Sequence, residues 1–435
     1  MLKGQFPVEK FASLRTPFYY YDLPLLRRTL DKIRECIEPY PQFHVHYAVK
    51  ANFNGKILQE ISRCGFGADC VSGGEIRAAL QNGFAPESIV YAGVGKSDEE
   101  ILLALDAGIA RFNVESAAEL EVINELALSR GVVAPVSLRV NPDIGAHTHA
   151  NITTGLAENK FGINYEQLPG VIELADSLPG VEYKGLHFHI GSQILEMDDF
   201  VALCNRINVL AEQILRQRRG RLVPAASSAA AVGYSSSAAG AAGVAGSGAV
   251  AGAAGAAASV LGVAGAAASV LGDINVGGGL GINYYHPNHL DVAEFSQYFE
   301  TFARHLKLPE GTPVHFELGR SVVAPCGSLI SRVLYIKEGT TRRFAIIDAS
   351  MTELIRPALY KAYHRVENIS SYEPEEVYDV VGPVCESSDV FAKGVSIDKC
   401  HRGDFIAIRS AGAYGESMSS QYNCRPLPAC FFKED

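Results

Sequence analysis

The chain predicts a (β/α)8 barrel of the TIM type followed by a C-terminal, mostly antiparallel β domain. Three observations lead there. Short β-branched and aromatic runs alternate with helix-like stretches up to about residue 320, the pattern of βα units around a parallel sheet. Eight such runs are readable, the number that closes a barrel. Beyond Arg320 the alternation stops, and strand-like pieces follow one another across turns.

In chain order, the β-rich piece at 18–22 precedes the first barrel helix and is free to pair with the C-terminal domain. Barrel strands are expected at 44–51, 67–72, 89–95, 110–115, 136–142, 185–193, 274–281 and 313–320. Helical patterns lie between them, as at 74–83, 97–107, 117–129 and 199–216. The barrel then occupies 24–300 plus its eighth strand at about 313–320, and 1–23 with 321–435 form the β domain. Strands of that domain are expected at 328–336, 343–348, 377–381 and 404–408.

One stretch departs from the pattern. Residues 222–272 carry no charge, are almost entirely Ala, Gly, Ser and Val, and repeat an eight-residue unit at 255–262 and 265–272. Side chains this small bury too little area for a membrane span, and glycine recurs too often. The stretch reads as a flexible insertion, a linker or a replacement of natural residues. It falls between the sixth and seventh strands at the barrel's N-terminal face, opposite the end where such barrels hold their chemistry.

Composition narrows the function. The 435 residues are 48% hydrophobic, ample for one large core and a second domain. A net charge of −10 without a basic tract argues against nucleic acid and anionic membrane as partners. Residues 1–15 mix charge with polarity and lack the apolar segment of a signal peptide. Nine cysteines, an odd number without C-x-x-C spacing, fit reduced thiols in a cytoplasmic protein better than disulfides or a zinc site.

Lys50 ends the run His44-Val45-His46-Tyr47-Ala48-Val49, which would direct its ammonium into the barrel mouth. A partly desolvated lysine has a lowered pKa and can form a Schiff base with an aldehyde, here pyridoxal phosphate (PLP). Gly277, Gly278 and Gly279 after the seventh strand let backbone N–H groups approach a phosphate, aided by the positive end of a following helix turn. Glu317, in His315-Phe316-Glu317-Leu318-Gly319-Arg320, can keep the pyridine nitrogen protonated so that the ring accepts electrons from a carbanion. The plainer alternative is a buried carboxylate paired with Arg320. In 187–193, His189 is placed to stack on the cofactor and Ser192 to bond its phosphate, while His187 reads as structural. Arg320 and Arg356, with the phenol of Tyr360, suit a substrate bearing a second carboxylate, since guanidinium binds carboxylate bidentately. Glu386, beside the thiol of Cys385, suits a distal ammonium. Surface salt bridges remain the alternative for these last residues.

Seven segments in order resemble the fold-type III PLP-dependent decarboxylases, and most closely the diaminopimelate decarboxylase family. They are Tyr47 to Asn52, His187 to Gln193, Gly277 to Gly279, Glu317 to Arg320, Arg356 to Tyr360, Cys385 to Ser387 and Ala411 to Tyr414. The resemblance covers nearly the whole chain except 222–272. It implies Lys50 carrying PLP, His189 against the ring face, and Glu317 at the pyridine nitrogen. Ser192, the glycine loop, Gly319, Arg320 and Tyr414 would complete the cofactor contacts. Arg320, Arg356, Tyr360, Glu386 and Tyr414 would bind an amino-acid substrate, and Cys385 would come from the partner subunit of a homodimer. The reaction implied is decarboxylation of meso-2,6-diaminopimelate to L-lysine and CO2, with Cys385 or Lys50 returning the proton. Leu318 stands where the family usually has proline.

Rival readings are fewer in their support. A decarboxylase of ornithine, arginine or lysine on the same scaffold would leave Arg356 without a partner. A racemase on this barrel is expected to place a base where Glu317 stands. A non-catalytic regulatory homologue would usually lose Lys50 or Cys385. A metal hydrolase has only His147 and His149 as a close histidine pair outside the sixth strand, with few acids nearby.

Overall fold

The computed structural model describes residues 6–144, 160–222, 270–287 and 292–434. Most of the low-complexity stretch (223–269), together with His147 and His149, lies outside the described residues.

After β1 (Phe18–Asp22), the chain alternates strands with helices through β2 (Phe43–Ala48), β3 (Gly67–Cys70), β4 (Ile89–Tyr91), β5 (Arg111–Val114) and β6 (Ala134–Asn141). A two-residue β7 (Ile163–Asn164) precedes β8 (Val181–His187), β9 (Asp273–Asn275) and β10 (Val314–Leu318). Leaving β7 aside, these parallel strands run β5-β4-β3-β2-β10-β9-β8-β6, and β5 pairs with β6 to close the barrel. All eight expected strands are present. Most end earlier than expected: the strand read as 44–51 stops at Ala48, 89–95 at Tyr91, 185–193 at His187 and 274–281 at Asn275.

Local chemistry fixes the helix starts. Ser72, Ser97 and Ser116 each accept a hydrogen bond from the backbone N–H three residues on, and Ser97 with Glu100 forms a reciprocal capping box. Strand periodicity then sorts the side chains. Phe43 and Phe316 face the helices, where Phe316 meets Tyr298, Phe299 and Phe302. Alternate residues point into the lumen, and several are polar. Arg111 of β5 reaches Asp273 of β9 at 2.5 Å, and Asn113 of β5 reaches Glu317 of β10 at 3.3 Å. His315 continues the lower network, contacting Asp273 at 3.3 Å and His46 at 3.0 Å. Arg111, Asp273, His315 and His46 form a polar floor, and Asn113 and Glu317 stand two residues further along their strands at the barrel mouth.

The second sheet is built on the long β11 (Gly327–Glu338). It pairs antiparallel with β1, with β12 (Arg343–Ile347) and with β16 (Phe405–Ile408). β13 (Val366–Asn368) joins β16, and β14 (Glu375–Val381) joins β15 (Val390–Asp398), both antiparallel. The parallel pairs are β12–β14 and β1 with β17 (Ala429–Lys433). Hydroxyls on β1 reach toward the barrel mouth: Tyr19 donates to the carbonyl of Glu353 at 2.6 Å, and Tyr21 to Glu416 at 2.6 Å. The loop carrying Tyr414 is thereby tied to the sheet. Among the described residues, no helix is long and apolar enough to cross a membrane.

Candidate active site

A cavity of about 420 Å³ opens at the C-terminal ends of the barrel strands, inside the ~300–1,000 Å³ range of small-molecule sites. Lys50, Asp69, His189, Ser192, Glu317 and Arg320 line it, as do Arg356, Tyr360 and Tyr414 from the β-domain side. Lys50 sits in the 3-10 turn Val49–Ala51 just past β2, with its Nζ 3.7 Å from Asp69. Its side chain is enclosed by the barrel mouth yet 42% exposed, because it faces the open cavity. Burial works to lower its pKa, but Asp69, Tyr414 and Glu317 outweigh burial and hold the ammonium above its ordinary value. The expectation of a lowered lysine pKa is therefore corrected: acids brought in by β3 and β10 reverse the sign.

Glu317 is buried and takes three hydrogen bonds, from Asn275 at 2.8 Å, His187 Nε2 at 3.1 Å and Asn113 at 3.3 Å. Burial opposes its ionisation, but His187 and Lys50 hold its pKa well below the usual carboxylate range. Asp69 shifts the other way. It is buried, accepts no hydrogen bond among the described residues, and faces Glu317, so burial first and that anion second raise its pKa. His189 accepts from the Gly278 N–H through Nδ1 at 3.3 Å, and burial with neighbouring Arg139 and Lys50 keeps it neutral.

Arg320 and Arg356 are each 6% exposed. Arg320 donates to Tyr284 at 2.8 Å and to Ser192 at 2.9 Å. Arg356 donates to Tyr284 at 3.4 Å and to His364 Nε2 at 3.4 Å. Neither meets a carboxylate among the described residues, which corrects the alternative of a Glu317–Arg320 pair. Tyr414, held at a positive φ of 56°, donates its N–H to the carbonyl of Ala51 at 2.8 Å and presents its ring 4.9 Å from the Arg320 guanidinium. Gly319 lies at the turn between β10 and Arg320, where a Cβ would press on Ala48 and Ala51 at 3.1 Å.

The glycine loop does not itself line the cavity. A Cβ on Gly278 would stand 1.8 Å from the carbonyl oxygen of Glu317, and one on Gly277 2.3 Å from that of Phe188. Close passage of three strand ends requires these glycines whatever they bind. No helix follows the loop directly, since the next described helix is Val292–His305, which corrects that part of the phosphate argument. Cys385 and Glu386 are not brought to the cavity either. They sit exposed on the turn after β14, where Tyr422 donates to Glu386 and Asp389 braces the turn by accepting from Val384 N at 3.0 Å.

Residues passed over by the sequence reading also belong here. His187, read as structural, lines the cavity and supports Glu317. Asp69, Asn113, Arg139 and Asn275 point to the same region. Their signal was a polar residue at every second position of strands that are otherwise apolar.

Comparison with known proteins agrees with this geometry. A family profile described as "Pyridoxal-dependent decarboxylase, pyridoxal binding domain" matches residues 26–218. The diaminopimelate decarboxylase of Bacteroides thetaiotaomicron is 53% identical over 434 residues, covering 100% of both chains. That of Zymomonas mobilis is 36% identical over 420 residues, 96% of this chain and 87% of the relative. The crystal structure of diaminopimelate decarboxylase from Helicobacter pylori complexed with L-lysine aligns with a TM-score of 0.81 at 34% identity, over 98% of this chain and 94% of that one. A lysine/ornithine decarboxylase from Vibrio vulnificus shares the fold alone, at 20% identity and a TM-score of 0.73. Identity of 53% over the full length of one relative and 36% over nearly all of another makes this chain a member of the diaminopimelate decarboxylase family.

Proposed function

We propose that the chain is a PLP-dependent carboxy-lyase that converts meso-2,6-diaminopimelate to L-lysine and CO2. The observation that carries the choice of substrate is the pair of buried guanidiniums at the cavity wall, which meet no carboxylate among the described residues. Buried charge without a counter-ion is costly, and a substrate with a second carboxylate supplies the missing partner. Ornithine, arginine and lysine carry no second carboxylate.

The cavity also fits the cofactor. An amine on Lys50, an ionised Glu317 supported by three donors, and a neutral His189 face one space. Lys50 would hold the cofactor through Nζ, Glu317 would take the pyridine N–H, and His189 would lie against the ring. Ser192 and Tyr414, which line the cavity, would serve the phosphate end. Bound there, the cofactor supplies an electron sink for the pair left when the Cα–carboxylate bond breaks. Arg320, Arg356 and Tyr360 fix the far carboxylate, which orients the bond to be broken. Lys50, protonated by its acidic surroundings, is a proton donor within the cavity.

The assembly we propose is a cytoplasmic homodimer in which Cys385 and Glu386 complete the partner's cavity. What supports this is their exposure on one chain, away from a cavity whose described lining carries no thiol. Two measurements test the proposal. Purified protein given PLP and meso-diaminopimelate should release one CO2 per L-lysine formed, and Lys50→Ala should abolish both; turnover by that variant at the wild-type rate would sink the assignment. Mixing inactive Lys50→Ala with inactive Cys385→Ala should restore about a quarter of wild-type activity if sites are shared between subunits. No recovery after subunit exchange would confine each site to one chain.

A further inference from the structure

Tyr284 lies behind the cavity wall, 8% exposed, and among the described residues is the one acceptor common to both buried arginines. Its hydroxyl oxygen takes Nη1 of Arg320 at 2.8 Å and Nη2 of Arg356 at 3.4 Å. Among the described residues the remaining support is likewise uncharged. Ser192 accepts from Arg320, and His364 accepts from Arg356 through Nε2 while its Nδ1–H donates to the carbonyl of Arg409 at 2.9 Å. The loop holding Tyr284 is itself pinned, because Gln193 donates to the carbonyl of Ile282 at 2.7 Å and accepts from its N–H at 3.3 Å. His364 packs edge-on against the Tyr284 ring at 5.0 Å.

Two like charges this close repel, and in a water-poor setting little screens them. A carboxylate in place of the phenol would hold them together but would also cancel the charge an anionic ligand needs. A neutral oxygen shared by both does the first without the second. We propose that Tyr284 is a positioning residue for the substrate's far carboxylate, yoking Arg320 and Arg356 so that both charges converge on one anion. The inference rests on reading those arginines as the carboxylate site.

Tyr284→Phe tests it, since the change removes one oxygen and keeps the packed ring. KM for meso-diaminopimelate should rise about tenfold, the loss of one hydrogen bond to a charged group, with a smaller change in kcat. The product L-lysine keeps the far carboxylate, so its competitive inhibition should weaken by the same factor. Cadaverine, a diamine with no carboxylate, should inhibit the variant and the wild type alike. A purely structural role would not separate those two inhibitors. Unchanged KM and L-lysine inhibition, or cadaverine inhibition weakening in step with that of L-lysine, would overturn the proposal. Arg356→Gln, assayed alongside, tells the two readings apart. If it weakens L-lysine inhibition and Tyr284→Phe does not, the role of Tyr284 alone fails; if it too leaves L-lysine inhibition intact, the carboxylate site itself is wrong.

Discussion

Replacing Glu317 with glutamine separates the charge of this residue from its shape. The carboxylate accepts from Asn275 at 2.8 Å, His187 at 3.1 Å and Asn113 at 3.3 Å. An amide has one oxygen, so its NH2 must face at least one of those donors, and a charge-assisted bond is lost. Such a bond contributes ~1.5–3 kcal/mol. If the anion's task is to keep the ring nitrogen protonated, that loss lowers kcat by about tenfold to a hundredfold. The assay is CO2 release under saturating substrate, with bound cofactor counted in the same sample. A kcat within about twofold of wild type, cofactor retained, would refute the role of the carboxylate. The sign of the pH effect is fixed as well. The folded-state pKa of Glu317 is depressed, so its stabilising contribution is complete above the unfolded carboxyl value of about 4.3 and is lost only as pH falls below it. The difference between variant and wild type should therefore stay flat at neutral pH.

Two further perturbations bear on the frame that holds the site. His46 and His364 are buried and neutral, each with its pKa lowered to about 3, chiefly by burial. A histidine of depressed folded pKa stabilises fully above its unfolded value of about 6.5 and loses that contribution as pH falls. Acidifying from about pH 6.5 to 5 should cost about 1.5 kcal/mol per histidine; urea midpoints across that range should fall less steeply in His46→Gln or His364→Gln, and an unchanged slope would contradict it. Gly278→Ala should destabilise by at least about 2 kcal/mol, because its Cβ meets backbone at 1.8 Å. Gly170→Ala, in a helix with nothing within 4 Å, should instead stabilise by about 0.5–1 kcal/mol. Equal midpoints for the two variants would undo the steric argument.

What could be read from sequence follows from what is local. Barrel strands such as β2 and β10 are β-branched and aromatic on the helix-facing side, so Val45 and Phe316 announced them directly, although β2 begins one residue earlier than read, at Phe43. β15 carries Lys393-Gly394 in its middle and exposes much of its length, and β17 follows Pro428, so neither displayed a buried strand pattern. Lys50, His189 and Glu317 were legible because each lies at or just past the end of a barrel strand, whereas Arg356 and Tyr360 stand on a short helix of the second domain. Their partners were not, since Asp69, Asn113 and Asn275 meet Lys50 or Glu317 only once the barrel closes. The same closure turned the expected sign of the Lys50 shift. Tyr284 escaped for a similar reason: it belongs to a loop, and only the fold places it between two arginines far along the chain.

Substrate choice distinguishes a paired-arginine carboxylate site from a plain diamine site. PLP-loaded protein should be offered meso-diaminopimelate, L-lysine, L-ornithine and L-arginine in parallel, with CO2 release measured for each. Turnover should be confined to meso-diaminopimelate and collapse in Arg356→Gln. Comparable kcat/KM for a diamino monocarboxylate would contradict it, because the paired arginines would then have no carboxylate to choose by.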